Sequence, residues 1–283
     1  MINQHVLMSG MEYIDNAAAI NPLYIPGRLN KRKAIKQHDN LVKTYRAAGI
    51  AVTWVLAPEG CQDGGYPANW AVCYNGKAIM ARLPKARAAE IPYAKEVLEN
   101  LGCMEVIDVP EDWRFSGQGD ALRCGELLFC NEGYRSDDRA LNFVAEQFGL
   151  KRIQLQTVPL TKKDGITPVI NKSSRWPDSN FYDLDLAMNV IDDHTIVWCP
   201  PAFTETSREL MRTIPVDKIE VDYHEAITYF ACNLLSTGES VIMSKAPKLK
   251  KALRERGLKV YTPDISELTR TGGSARCMSL TLN

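Results

Sequence analysis

The chain carries no surplus charge: 34 basic side chains are matched by 34 acidic ones over 283 residues. Nucleic acid and anionic membrane surfaces both call for a basic excess, so neither is expected as the main partner. No apolar run approaches the length of a membrane span, and the opening MINQHVLMSGMEYI lacks the charged and apolar regions of a signal peptide. The eight cysteines form no CxxC pair and are scattered, which argues against a zinc site and a disulfide framework. A reducing, cytoplasmic setting fits them best; no metal or cofactor is implied. Low-complexity segments are absent. Histidine is scarce, with only His5, His38, His194 and His224. His38 on an amphipathic helix and His194 in a hairpin turn are expected at the surface.

What is present is an ordinary globular composition, 45% apolar, and a recurring pattern. Two short apolar strands split by a polar turn are followed by an amphipathic helix and a third strand. One copy runs WAVCYN, GKAIMAR, PYAKEVLENLG, MEVIDV, and the next DALRC, ELLFC, DDRALNFVAEQFG, RIQLQTV. A third reads DLAMNVI, HTIVWC, TSRELMRTI, IEVDY, and a fourth CNLLST, SVIMS, KLKKALRERG, LKVYT. The helices repeat apolar residues at spacings of three and four, and the strands are rich in Val, Ile and Cys. The opening HVLMSG, the helix KRKAIKQHDNLVKTYRAAG, the strand AVTWVL and the closing strand ARCMSLTLN complete a fifth unit from both chain ends. Five ββαβ units imply a single domain over residues 1–283, a five-bladed α/β propeller closed around a central channel. A two-layer α/β sandwich is the alternative.

In such a ring the first strand of each unit converges on the centre. The segments entering those strands are polar: GYPANW, FSGQGD, FYDLDL, FACN and GGSARC. Plain turn chemistry explains any one of them taken alone. Cys277, within GGSARC, likewise reads alone as a buried core cysteine.

Six segments taken in order carry more. MSGMEYIDNAAAINP ends on Asn21 and Pro22, and QDGGYPAN holds Asp63 and Asn69. FSGQGDAL holds Asp120, GYRSD holds Arg135 and Ser136, FYDLDLA holds Asp183 and Asp185, and GGSARCMS holds Cys277. Over nearly the whole chain this series resembles the pentein, or guanidine-modifying, superfamily, and most closely its dimethylarginine and arginine hydrolases. The resemblance implies Cys277 as nucleophile, with Asp63 and Asp120 accepting the N–H groups of a planar guanidinium. It implies Asn21, Asn69 and Asp185 as further ligand contacts, and Arg135 with Ser136 on a substrate carboxylate. The implied partner is a small guanidino or amino-acid ligand, and the oligomeric state stays open, a homodimer included.

The chemistry needs a thiolate above the plane of a poorly electrophilic cation, and then a proton carrier for the leaving amine and for water. In the superfamily a histidine oriented by a glutamate carries the proton. Here Asp183 stands at the histidine position and Ser116 at the glutamate position. Three outcomes remain open: C–N hydrolysis with Asp183 as an altered proton carrier, amidino transfer, or a guanidino-binding protein without turnover.

Overall fold

A computed structural model of the chain describes residues 2–25, 27 and 29–283. The alternating apolar stretches form five separate three-stranded sheets, all wired alike. The second unit shows the plan: β3 (Ala71–Tyr74), β4 (Lys77–Met80), α2 (Glu90–Leu101), β5 (Glu105–Ile107). β3 pairs antiparallel with β4 across the turn Asn75–Gly76, and β4 pairs parallel with β5 after the helical crossover. The third unit repeats it with β6 (Ala121–Cys124), β7 (Leu127–Asn131), α3 (Asp138–Phe148) and β8 (Lys151–Leu155). The fourth uses β9 (Met188–Val190), β10 (Thr195–Trp198), α4 (Glu205–Thr213) and β11 (Asp217–Glu220).

An extra short helix, α5 (Tyr223–Tyr229), leads into the fifth: β12 (Leu235–Ser236), β13 (Ser240–Ile242), α6 (Pro247–Glu255) and β14 (Lys259–Tyr261). The remaining unit joins the two ends of the chain. β15 (Leu280–Thr281) pairs antiparallel with β1 (His5–Ser9), which runs parallel to β2 (Ala51–Val55) after α1 (Lys31–Ala47).

Local chemistry fixes the helix ends. Asn30 accepts the Lys33 amide at the start of α1, and Thr204 and Asp222 cap α4 and α5 in the same way. Such a side-chain cap contributes about 1 kcal/mol. Gly102 and Gly149 close α2 and α3 in the left-handed conformation that suits glycine. The helices lie against the third strands of their units, α1 on β2, α2 on β5, α3 on β8 and α6 on β14. The first strands face one another, with β15 beside β3, β6 beside β9, and β9 beside β12. Among the described residues no helix is long and apolar enough to cross a membrane.

Two expectations are corrected. His38 is buried, at 2% exposure, not at the surface. It lies four residues after Ala34 and three before Leu41, on the face that α1 turns to the core. The closing stretch is strand only at Leu280–Thr281, and Cys277 sits in a turn before it. Asn233 Oδ1 accepts the backbone amides of both Ser274 and Cys277, which holds that segment curled. His194 does sit exposed in a turn between β9 and β10.

Candidate active site

Each unit delivers one polar side chain from the turn just ahead of its first strand. Asn69 precedes β3, Asp120 precedes β6, Asp185 precedes β9, Asn233 precedes β12 and Cys277 precedes β15. All five side chains are buried. Two of these turns need glycine. A Cβ on Gly119 would lie 2.6 Å from Asn69 Nδ2 and 2.9 Å from the Asp183 carboxyl carbon. Gly272, at φ +90°, lets the Asn21 side chain approach to 2.3 Å of where a Cβ would be.

Cys277 is the centre of the cluster. Asn233 Nδ2 donates to its Sγ at 3.1 Å, and the thiol donates to Asp185 Oδ2 at 3.4 Å. The other Asp185 oxygen, Oδ1, is buried without a hydrogen-bond partner among the described residues. Burial first, and then the charge of Asp183, push the Asp185 carboxyl up to about 7. Burial, with Asp185 and Asp183 adding to it, holds the thiol well above its ordinary range. A cation entering the site would favour the thiolate by the same electrostatics.

Among the described residues Asp183 makes no hydrogen bond to the sulfur. Ser116 Oγ donates to its Oδ1 at 2.8 Å, and Asn69 Nδ2 to its Oδ2 at 3.0 Å. Arg135 lies 3.6 Å from Asp183 Oδ2, stacks 4.0 Å over the Tyr182 ring and donates to the Ile20 carbonyl. Ser116 therefore binds the same aspartate that stands in for the expected histidine. The two departures from the superfamily pattern form one hydrogen-bonded pair.

The other expected residues fall into two groups. Asn21, Asp63, Asn69, Arg135 and Cys277 line one narrow cleft. Asp63 accepts the Tyr24 hydroxyl on Oδ1 and the Gln62 amide on Oδ2, and burial raises its carboxyl. Asp120 and Ser136 lie behind the cleft. Ser136 donates to Asp120 Oδ2 at 2.7 Å while the Leu184 amide and Asn131 occupy Oδ1. Burial and the charge of Asp183 hold the Asp120 carboxyl well above its ordinary value. Ser136 also accepts the Ser116 amide within the third unit, and the Leu184 amide on Asp120 ties that unit to the fourth.

Sequence reasoning passed over Arg87, Glu90 and Asn233. Arg87 forms a bidentate pair with Glu90, at 2.8 and 2.7 Å, and donates to Asn69 Oδ1 at 2.8 Å. It thereby fixes which face of the Asn69 amide turns to Asp183. Nothing in LPKARAAEIP distinguishes Arg87 from its basic neighbours. Asn233 did have a signal, a polar residue just ahead of a first strand, in FACN. The buried shell holds five carboxyl groups (Asp63, Glu90, Asp120, Asp183, Asp185) against three guanidiniums (Arg87, Arg135, Arg276). That excess suits a cationic ligand. Among the described residues no cluster of histidine, cysteine or acid could hold a metal ion.

The family model for N,N dimethylarginine dimethylhydrolase, eukaryotic, matches residues 14–282. The chain belongs to this family. It is 30% identical over 270 residues to the N(G),N(G)-dimethylarginine dimethylaminohydrolase of Mycobacterium tuberculosis, covering 94% of this chain and 82% of that relative. It is 28% identical to the bifunctional arginine dihydrolase/ornithine cyclodeaminase ArgZ of Synechocystis, covering 97% of this chain but 37% of that longer protein. The substrate-bound N-terminal domain of ArgZ, a cyanobacterial arginine dihydrolase, superposes with a TM-score of 0.86 at 26% identity, covering 99% and 98% of the two chains. The citrulline complex of the Pseudomonas aeruginosa dimethylarginine hydrolase, at 17% identity and a TM-score of 0.75, shares the fold over 99% of both chains.

Proposed function

We propose that the chain is a cysteine-dependent hydrolase of guanidino C–N bonds, acting on arginine or an arginine-like compound through a covalent adduct on Cys277. The observation that carries this reading is the Cys277–Asp185 contact, with Asp185 Oδ1 unpartnered among the described residues. One carboxylate oxygen can take the thiol proton while the other is left to pass it to the departing amine. The proton-carrier role thus moves from Asp183, whose oxygens are engaged by Ser116, Asn69 and Arg135, to Asp185.

Sulfur bonds to the central guanidinium carbon as its proton passes to Asp185 and on to the departing amine. The C–N bond breaks and leaves a thiouronium-type adduct. Water then adds to that carbon and gives a proton to Asp185. The C–S bond breaks, sulfur recovers the proton, and a ureido product is released. Asp183 holds Asn69 and Arg135 in position, and its charge together with that of Asp63 favours a cation in the cleft. Arg135, in the cleft beside Asn21, is assigned to a substrate carboxylate, with Ser136 steadying that turn from behind. The relatives' printed substrates, dimethylarginine and arginine, are the two to try first.

We further assign the five sheets to one propeller domain closed around a channel, because one unit is built from both chain ends. A reducing, cytoplasmic setting would keep the thiol free. A panel of arginine, dimethylarginine and agmatine, with products identified by mass spectrometry, tests the function. Citrulline or ornithine with released amine supports hydrolysis. Amidine appearing on an added amine would mean transfer, and binding without any product would mean a ligand-binding protein.

A further inference from the structure

A second cavity opens at the other end of the same first strands, away from the catalytic cleft. Its wall includes Cys73 of β3, Leu122 of β6, Asn189 of β9 and Thr281 of β15. Arg276 and Gln118 line it too, and Arg276 is the residue immediately before the nucleophile. This guanidinium is 6% exposed. Its hydrogen bonds all go to neutral groups: the Ser279 carbonyl at 3.3 Å, Thr281 Oγ1 at 3.0 Å and Gln118 Oε1 at 2.9 Å. Among the described residues no carboxylate pairs with it. Asp185 acts on it only through space, from the catalytic side.

A buried cation without a carboxylate is expensive, because burial removes hydration that neutral acceptors replace only in part. An unpartnered donor lines the same cavity. Asn189 is 4% exposed, its Oδ1 accepts the Val190 amide, and its Nδ2 has no hydrogen-bond partner among the described residues. At the rim Arg123 stacks 4.7 Å over Tyr74 and pairs with Asp193 at 3.3 Å. The wall thus presents N–H donors, with the buried Arg276 guanidinium among them.

We propose that this rear cavity binds a small planar oxyanion, a carboxylate or hydrogencarbonate, between the Arg276 guanidinium and the Asn189 amide. The planar fork of an arginine suits a trigonal oxyanion better than a spherical ion. The site has a built-in route to the reaction. Arg276 is a positive charge felt by Asp185, and an anion partnering it from behind would weaken that influence. Occupancy would favour the protonated form of Asp185.

The test is a titration of the isotopically labelled full chain with sodium hydrogencarbonate and, separately, sodium formate, at constant ionic strength set with sodium chloride. The reporter is the Asn189 side-chain amide resonance, identified by its loss in Asn189→Leu. A saturable shift with either oxyanion is expected. Response to both marks a general carboxylate-type site, and response to hydrogencarbonate alone fixes that ion as the ligand. Asn189→Asp places a negative charge in the wall and should weaken affinity at least tenfold, read from backbone amides of β9. No saturable shift with either anion, an equal shift when chloride alone is raised, or undiminished affinity in Asn189→Asp would overturn the proposal.

Discussion

Replacing Asp185 by asparagine should make Cys277 more reactive and the enzyme slower. The carboxylate lies 3.4 Å from the sulfur, and its negative charge adds to the burial that holds the thiol up. At an effective dielectric of about 20, a unit charge at that separation is worth roughly 5 kcal/mol. At ~1.4 kcal/mol per pH unit this corresponds to about 3.5 units. Relaxation and water entry will reduce it, so a fall of one unit or more in the thiol inflection is expected. Alkylation of Cys277 by iodoacetamide, followed by peptide mapping across pH, reads that inflection directly. Asp185→Asn should therefore alkylate faster than wild type at pH 8. Turnover should move the other way, by about 100-fold to 10,000-fold, since the thiol proton has lost its acceptor. The wild-type rate should also rise through pH 7 as Asp185 loses its proton, and the variant should lack that limb. An unchanged or higher alkylation inflection, or undiminished turnover, would refute Asp185 as the proton carrier.

Agmatine, which lacks the carboxylate assigned to Arg135, should bind about 10-fold to 100-fold more weakly than arginine, as calorimetry can show; equal affinity would remove that assignment. Glu90→Gln leaves Arg87 as an uncompensated buried cation and should cost about 3–5 kcal/mol in urea unfolding. His38 is held neutral by burial, its titration pushed down to about 4. The unfolded chain therefore binds a proton that the folded one refuses between about pH 6.5 and 4, and stability falls as pH drops through that window. His38→Gln should flatten this part of the stability profile, and an unchanged profile would place the acid sensitivity elsewhere.

The fold was largely legible because each unit alternates strand and helix periodicities between clear turn signals. Burial of one face per element dictates those periodicities, so WAVCYN and DDRALNFVAEQFG announce themselves locally. α5 gave no such signal, since seven residues make too few turns for a periodicity to register. The candidate site was legible chiefly through the ordered motifs of the resemblance, which named Asn21, Asp63 and Arg135 as well as residues ahead of the first strands. Polar residues interrupting the approach to a first strand pointed to the positions of Asn69, Asp120, Asp185 and Cys277 and put Asn233 within reach. What it could not separate was Asp183 from Asp185. They are two residues apart, and only the turn between them decides that one meets Ser116 and Arg135 while the other meets sulfur. Arg87 was hidden for a similar reason, because its partners Asn69 and Glu90 come together only when the segment after β4 folds back across the cleft.

Turnover of the preferred guanidino substrate by wild type and by Cys277→Ser tests the proposed chemistry most directly. Wild type should release amine and a ureido or amino-acid product, while Cys277→Ser binds the substrate by calorimetry and releases none. Product formation at a comparable rate by Cys277→Ser, or binding with no product from wild type, would contradict a cysteine-dependent hydrolase.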